Sequence, residues 1–114
     1  MSLKESVYSI LIISASEKFN NGISTILSPL KYDPICVVSN ISAAKRAFAE
    51  RSFDCVIINS PLPDDAGIRF AIDTCSTPEA VALLLVHTEL YDEIYDKVAE
   101  HGVFLLAKPT SKAM

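Results

Sequence analysis

The sequence predicts an α/β fold built on a parallel sheet, and three observations carry that prediction. Short apolar runs rich in β-branched residues alternate with longer segments of helical period. The runs lack polar alternation within themselves, which marks strands buried on both faces. Half of the 114 residues are apolar and 21% are charged, enough for one core-rich domain and too apolar for a disordered chain. The alternation reads β-α-β-α-β-α-β-α-β, a doubly wound five-stranded parallel sheet with helices on both faces. No internal repeat, linker or low-complexity segment divides it. Residues 1–114 are therefore read as one domain, with 1–6 a leader in which Met1-Ser2-Leu3 is consistent with a cloning remnant.

Each element has its own signal. Val7 to Ile13 is nearly all apolar and predicts the first strand. Ser14-Ala15-Ser16 offers hydroxyls for a helix N-cap, and Phe19, Ile23, Ile26, Leu27 and Leu30 follow at helical spacing. Asn20-Asn21-Gly22 places three poor helix formers in that segment, and Pro29 and Pro34 bracket its end. Ile35 to Val38 is the second strand. Ser39 or Asn40 caps a helix whose inner face is Ile41, Ala44, Ala47 and Phe48. Asp54 to Asn59 is the third strand, and a Pro-rich loop from Ser60 to Gly67 follows it. Ile68, Ala71, Ile72 and Cys75 mark the third helix, and Val81 to Val86 the fourth strand. Leu90, Ile94 and Val98, with Tyr91 and Tyr95 beside them, predict a fourth helix that Gly102 closes. Val103 to Ala107 is the fifth strand, followed by Lys108-Pro109 and a polar tail.

Composition excludes several functions. Fourteen acids against ten strong bases give a net charge of −4, which argues against a nucleic-acid surface built of positive charge. Cys36, Cys55 and Cys75 are too few for a disulfide framework and have no zinc-ligand spacing, so a reducing cytoplasm is expected. The longest apolar run, Ala80 to Val86, is far too short to cross a bilayer, and no membrane partner is expected. The N-terminus lacks the positive region of a signal peptide.

Ligands of such folds sit beyond the carboxyl ends of the strands, where strand order reverses. The informative residues are therefore Ser14-Ala15, Asn59, His87-Thr88 and Lys108-Pro109. These positions resemble the receiver (CheY-like) domain of two-component response regulators over essentially the whole chain. The stretch from Asn59 through Pro63 to Gly67 matches the family's acceptor, three residues, Pro, three residues, Gly. Lys108-Pro109 matches its Lys-Pro, and His101-Gly102 its preceding turn. The resemblance implies a flavodoxin-like strand order of 2-1-3-4-5, and a cis bond before Pro109. This chain departs from the family at the reactive positions. Asn59 stands where the family has its phosphoacceptor Asp, and Ser14-Ala15 where it has two metal-binding acids. His87, with Thr88 following, replaces its Ser/Thr, and Leu105 its aromatic switch.

An Asn amide is a poor nucleophile, and magnesium prefers hard oxygen ligands with at least one carboxylate. Ser14, Ala15 and Asn59 provide none. A degenerate pocket is therefore expected, formed by Asn59, Ser14, Ala15, His87, Thr88 and Lys108, with no catalytic residue and weak or absent magnesium binding. Glu17, Asp64 and Asp65 are the acids that could rescue an ion site; their plainer role is helix capping and dipole stabilisation. Lys108 either points at the pocket, pairs with Asp64 or Asp65, or is solvated. His87 is the one acid-base group near the pocket, more in keeping with a hydrogen-bonded structural role than a catalytic one. His101 fits a helix C-terminus. Tyr91 and Tyr95 form a partner surface together with Leu105, or are helix-edge packing residues.

The expected function is that of a non-enzymatic pseudo-receiver, a docking or dimerisation module of a signalling regulator. Its alternative is a small-ligand or anion sensor using Lys108, His87, Ser14 and the strand-end backbone. Degenerate receivers of this kind resemble those preceding an RNA-binding ANTAR domain in antitermination regulators controlling transcription. RNA would then be a partner of an output domain beyond Met114, and no nucleic acid would bind residues 1–114. Against the family's five helices the chain is one short, which implies an uncovered apolar patch near the sheet's end, a seat for dimerisation or for the absent helix, and a homodimer is expected.

Overall fold

In the computed structural model, which describes residues 7–27 and 31–108, the strands are β1 (Tyr8–Ile13), β2 (Tyr32–Val38), β3 (Cys55–Asn59), β4 (Val81–His87) and β5 (Phe104–Lys108). Between them run α1 (Glu17–Ile26), α2 (Ile41–Glu50), α3 (Ile68–Cys75) and α4 (Tyr91–Val98). All pairings are parallel and the order is β2-β1-β3-β4-β5, as expected. No described helix is long and apolar enough to cross a membrane. The bond before Pro109, the leader 1–6 and Pro29 and Leu30 lie outside the described residues.

The strands are apolar on both sides because both sheet faces are covered, though unequally. Leu11, Ile13, Val56, Ile58, Leu84 and Val86 point to one face, where Ile41 and Ala44 of α2, Phe70 and Ala71 of α3, and Ile94 and Val98 of α4 complete the larger core. Ile10, Ile12 and Ile57 point to the other face, where α1 is the described helix that covers them, through half-buried Phe19, Ile23 and Leu27. No residue of α1 is fully buried.

Several element boundaries differ from expectation for physical reasons. β2 begins at Tyr32 and takes in Asp33 and Pro34; as an edge strand it tolerates a residue that cannot donate to a ladder. α1 runs through Asn20-Asn21-Gly22, because Ser16 caps it (Oγ accepting from Phe19 N, 3.1 Å) and its apolar face packs on the sheet. α3 buries Phe70, Ala71 and Thr74, one position off the expected face, leaving Ile68, Ile72 and Cys75 half-buried. Leu90 is not a core residue: it lies in a 3₁₀ turn before α4 and is 40% exposed. β4 and β5 each extend one residue further than expected, to His87 and Lys108.

Candidate functional site

β1, β3, β4 and β5 end side by side, so Ser14, Asn59, His87 and Lys108 share one rim of the sheet. His87 and Lys108 are register partners, and Asn59 is opposite Leu85. The parallel register brings the carboxyl ends of these strands level, which turns four distant sequence positions into one site.

At its centre lies a polar contact without a carboxylate. Lys108 Nζ donates to Asn59 Oδ1 at 2.9 Å and to the Ser60 carbonyl at 2.6 Å. Asn59 is buried, and its Nδ2 donates to Ser14 Oγ at 3.3 Å. Ser14 is buried too, and its hydroxyl also accepts from Ser16 N at 3.1 Å, which fixes the turn into α1. Lys108 is thus neither solvated nor paired with Asp64 or Asp65; it points into the pocket. Burial holds its ammonium below the ordinary lysine value, since its partners are neutral oxygens. Two charge-assisted bonds of roughly 1.5–3 kcal/mol each offset that desolvation.

The remaining pocket residues sit further out. Ala15 is exposed. His87 is exposed at the end of β4, and it makes no hydrogen bond to a described residue. Thr88 Oγ1 donates to the Lys108 carbonyl at 2.9 Å and so ties the ends of β4 and β5 together. Tyr91 and Tyr95 stack with centroids 6.0 Å apart; Tyr91 is half-buried and Tyr95 is 49% exposed. Leu105 packs against the larger core.

The acids near the pocket are engaged in structural bonds. Asp64 accepts from Ile41 N at 2.9 Å and Ser42 N at 3.1 Å, while Asn40 Oδ1 accepts from Ala43 N at 2.7 Å. Together they satisfy the first amides of α2. Asp65 Oδ1 accepts from Gly67 N at 2.7 Å and shapes the loop before α3. Glu17 lies in the first turn of α1, on the favourable end of its dipole. Among the described residues no three His, Cys, Asp or Glu side chains converge as metal ligands would. A hydroxyl, an amide and an ammonium 2.9 Å from that amide's oxygen offer none of the carboxylates through which magnesium is usually bound.

The amides of Ile41 and then Ser42 hold the Asp64 carboxyl below the usual carboxylate range. Its contribution to stability is therefore complete above the ordinary carboxyl value and is lost as pH falls through the lowered one. Replacing Asp64 with Asn should lower Tm at neutral pH, and the gap to wild type should close in strongly acidic buffer. Melting curves across pH 2–7 check both, and a gap that persists at the acid end counts against the cap.

Two participants had no usable signal in the sequence. Ser60 contributes a backbone carbonyl, which any residue could supply. Asn20 reaches back six positions, its Nδ2 donating to the Ser14 carbonyl at 3.3 Å, while its Oδ1 is buried without a partner among the described residues. In the sequence it stands only as one of three poor helix formers.

No protein-family model matches this chain, and neither does any curated protein. Solved structures do. The signal receiver domain of an HD-domain-containing protein from Pseudomonas fluorescens superposes with a TM-score of 0.79 at 23% identity, over 96% of this chain and 81% of that one. The fold is that of a response-regulator receiver domain. A receiver domain from Methylobacillus flagellatus agrees at TM-score 0.74 and 20% identity, over 92% and 89% of the two chains. The receiver domain of a sensor histidine kinase from Pseudomonas aeruginosa, solved with magnesium coordinated in its active-site cleft, gives 0.70 and 18% over 92% and 88%.

Proposed function

We propose that this chain is a regulatory, non-enzymatic pseudo-receiver of a cytoplasmic signalling protein, acting through protein–protein contact without aspartyl phosphorylation. One observation carries the reading. The Lys108 ammonium, which a receiver holds ready for charge on the acceptor, rests 2.9 Å from a neutral amide at Asn59. With no carboxylate to attack a phosphoryl donor and none to hold magnesium, the pocket acts as a fixed polar plug joining β1, β3 and β5. Signal output then depends on surfaces, among them the exposed side of α4 around Tyr95. Control of an RNA-binding antitermination domain beyond Met114 is the narrower form of the proposal.

A second reading, non-covalent anion binding, is favoured by one feature. Lys108 has three donors, of which two are used, and among the described residues no acid pairs with the third. Thermal shift separates the readings, because a ligand raises Tm in proportion to ln(1 + [L]/Kd). Under the pseudo-receiver reading neither millimolar magnesium nor inorganic phosphate moves Tm. A saturable rise with phosphate that Lys108→Met abolishes would replace the first reading with the second, and a saturable rise with magnesium would refute both.

A further inference from the structure

Asn20-Asn21-Gly22 places three poor helix formers inside α1, and neither Asn21 nor Gly22 takes part in the rim. The chain has four asparagines, and the fold secures three of them. Asn59 is buried between Lys108 and Ser14, and the amide after it, Ser60 N, donates to the Leu85 carbonyl at 2.9 Å. Asn40 accepts from Ala43 N at 2.7 Å, and the next amide, Ile41 N, donates to Asp64 Oδ1 at 2.9 Å. Asn20 Nδ2 is held by the Ser14 carbonyl. Asn21 is different. Its side chain is exposed and makes no hydrogen bond to a described residue. Gly22 follows it, with nothing within 4 Å of where a Cβ would stand.

We propose that Asn21 is a site of spontaneous modification, where deamidation converts α1 irreversibly into a looser helix. The Gly22 nitrogen attacks Asn21 Cγ, the Cγ–Nδ2 bond breaks, and ammonia leaves as a succinimide closes. Water then opens the ring at either carbonyl, giving aspartate or isoaspartate. The net change is hydrolysis of one amide by one water, with no oxidation or reduction. Gly22 suits the step because it has no Cβ to obstruct the approach and reaches the required backbone angles freely. An intact helix opposes it, since it holds the Gly22 N–H against the carbonyl four residues earlier. Local opening releases that hold. Among the described helices α1 alone has no buried residue, and Asn20 Oδ1 beside the reacting pair is buried without a partner among the described residues.

Both products act in one direction. Aspartate at this position stands four residues after Glu17, a like-charge pair that weakens the helix. Isoaspartate routes the backbone through an additional methylene, which interrupts the hydrogen-bond ladder. A loosened α1 withdraws Asn20 from the Ser14 carbonyl and slackens the cover on Ile10, Ile12 and Ile57. A slow change at one surface residue is thereby coupled to the rim and to the smaller core. This goes beyond the pseudo-receiver reading and does not depend on it, because the reacting groups lie in α1 and not in the pocket.

Peptide mapping of the 114-residue chain, sampled over weeks in mildly alkaline buffer, tests it. Asn21 should convert to aspartate and isoaspartate before Asn40 or Asn59 changes, and the aged chain should melt at a lower temperature. Gly22→Ala should slow conversion at least about fourfold through helix propensity alone. Ile23→Ala loosens α1 from the sheet without touching the reacting pair, and should speed conversion at least about threefold. Conversion of Asn59 should not speed with it. An Asn21 amide that persists, a rate that Gly22→Ala leaves unchanged, or an acceleration in Ile23→Ala that Asn59 shares equally would each overturn the proposal.

Discussion

Gly67→Ala should cost roughly 2–5 kcal/mol, although it adds a single methyl group. Gly67 has φ +87°, in the left-handed region where a Cβ is strained by roughly 1–2 kcal/mol. A Cβ there would also meet Ile58 Cγ2 at 2.8 Å. Ile58 is fully buried, next to last in β3, and stiff at χ1, so relief requires the backbone to move, a further cost of roughly 1–3 kcal/mol. The displacement would reach the Asp65 turn, and through the same loop the Asp64 cap on α2. Gly102 serves as the control: it has φ +80° but nothing within 4 Å of an added Cβ. Gly102→Ala should therefore show the backbone cost alone, about 1–2 kcal/mol. Chemical denaturation of both variants checks the difference, and equal losses would mean that the Ile58 contact is not tight.

Leu84→Ala should be at least as damaging. Leu84 is fully buried at the centre of β4, facing the core that α2, α3 and α4 cover. Truncation there removes transfer free energy and leaves a cavity, together about 2–5 kcal/mol out of a total stability of roughly 5–15 kcal/mol. For a chain of this size, at about 4 °C per kcal/mol, Tm should fall by roughly 8–20 °C. Phe104→Ala, which removes a larger side chain from an exposed position on the neighbouring strand, should change Tm of the monomer by only a degree or two. The contrast follows from which face each residue occupies. A Phe104→Ala loss equal to that of Leu84→Ala would mean that the open face is covered.

Much of this was legible in the sequence. Unbroken apolar runs such as Val56-Ile57-Ile58 identified two-faced strands, and the residues ending them located the rim. The spacing from Asn59 to Pro63 and Gly67, with Lys108, pointed to the receiver fold. What could not be read was set by three-dimensional partners. Asp64 caps a helix 23 positions earlier in the chain, a long-range contact that local capping patterns cannot reveal. Lys108 had three plausible environments, and only the alignment of β5 with β3 across β4 selects Asn59 and Ser60. Leu90 has the right spacing for α4 but falls in the 3₁₀ turn that precedes it. Pro34 reads as a breaker, yet an edge strand accommodates it. Periodicity finds faces; it does not say which faces stay open, as the exposure of Phe104 and Leu106 shows.

The central claim is that a receiver fold here surrounds a pocket that cannot take up a phosphoryl group. Its most direct test is the intact mass of the chain after incubation with a small-molecule phosphodonor and magnesium. The mass should be unchanged, with Asn59 still an amide by peptide mapping. A stoichiometric phosphoryl adduct on a chain whose Asn59 has not deamidated would contradict the claim.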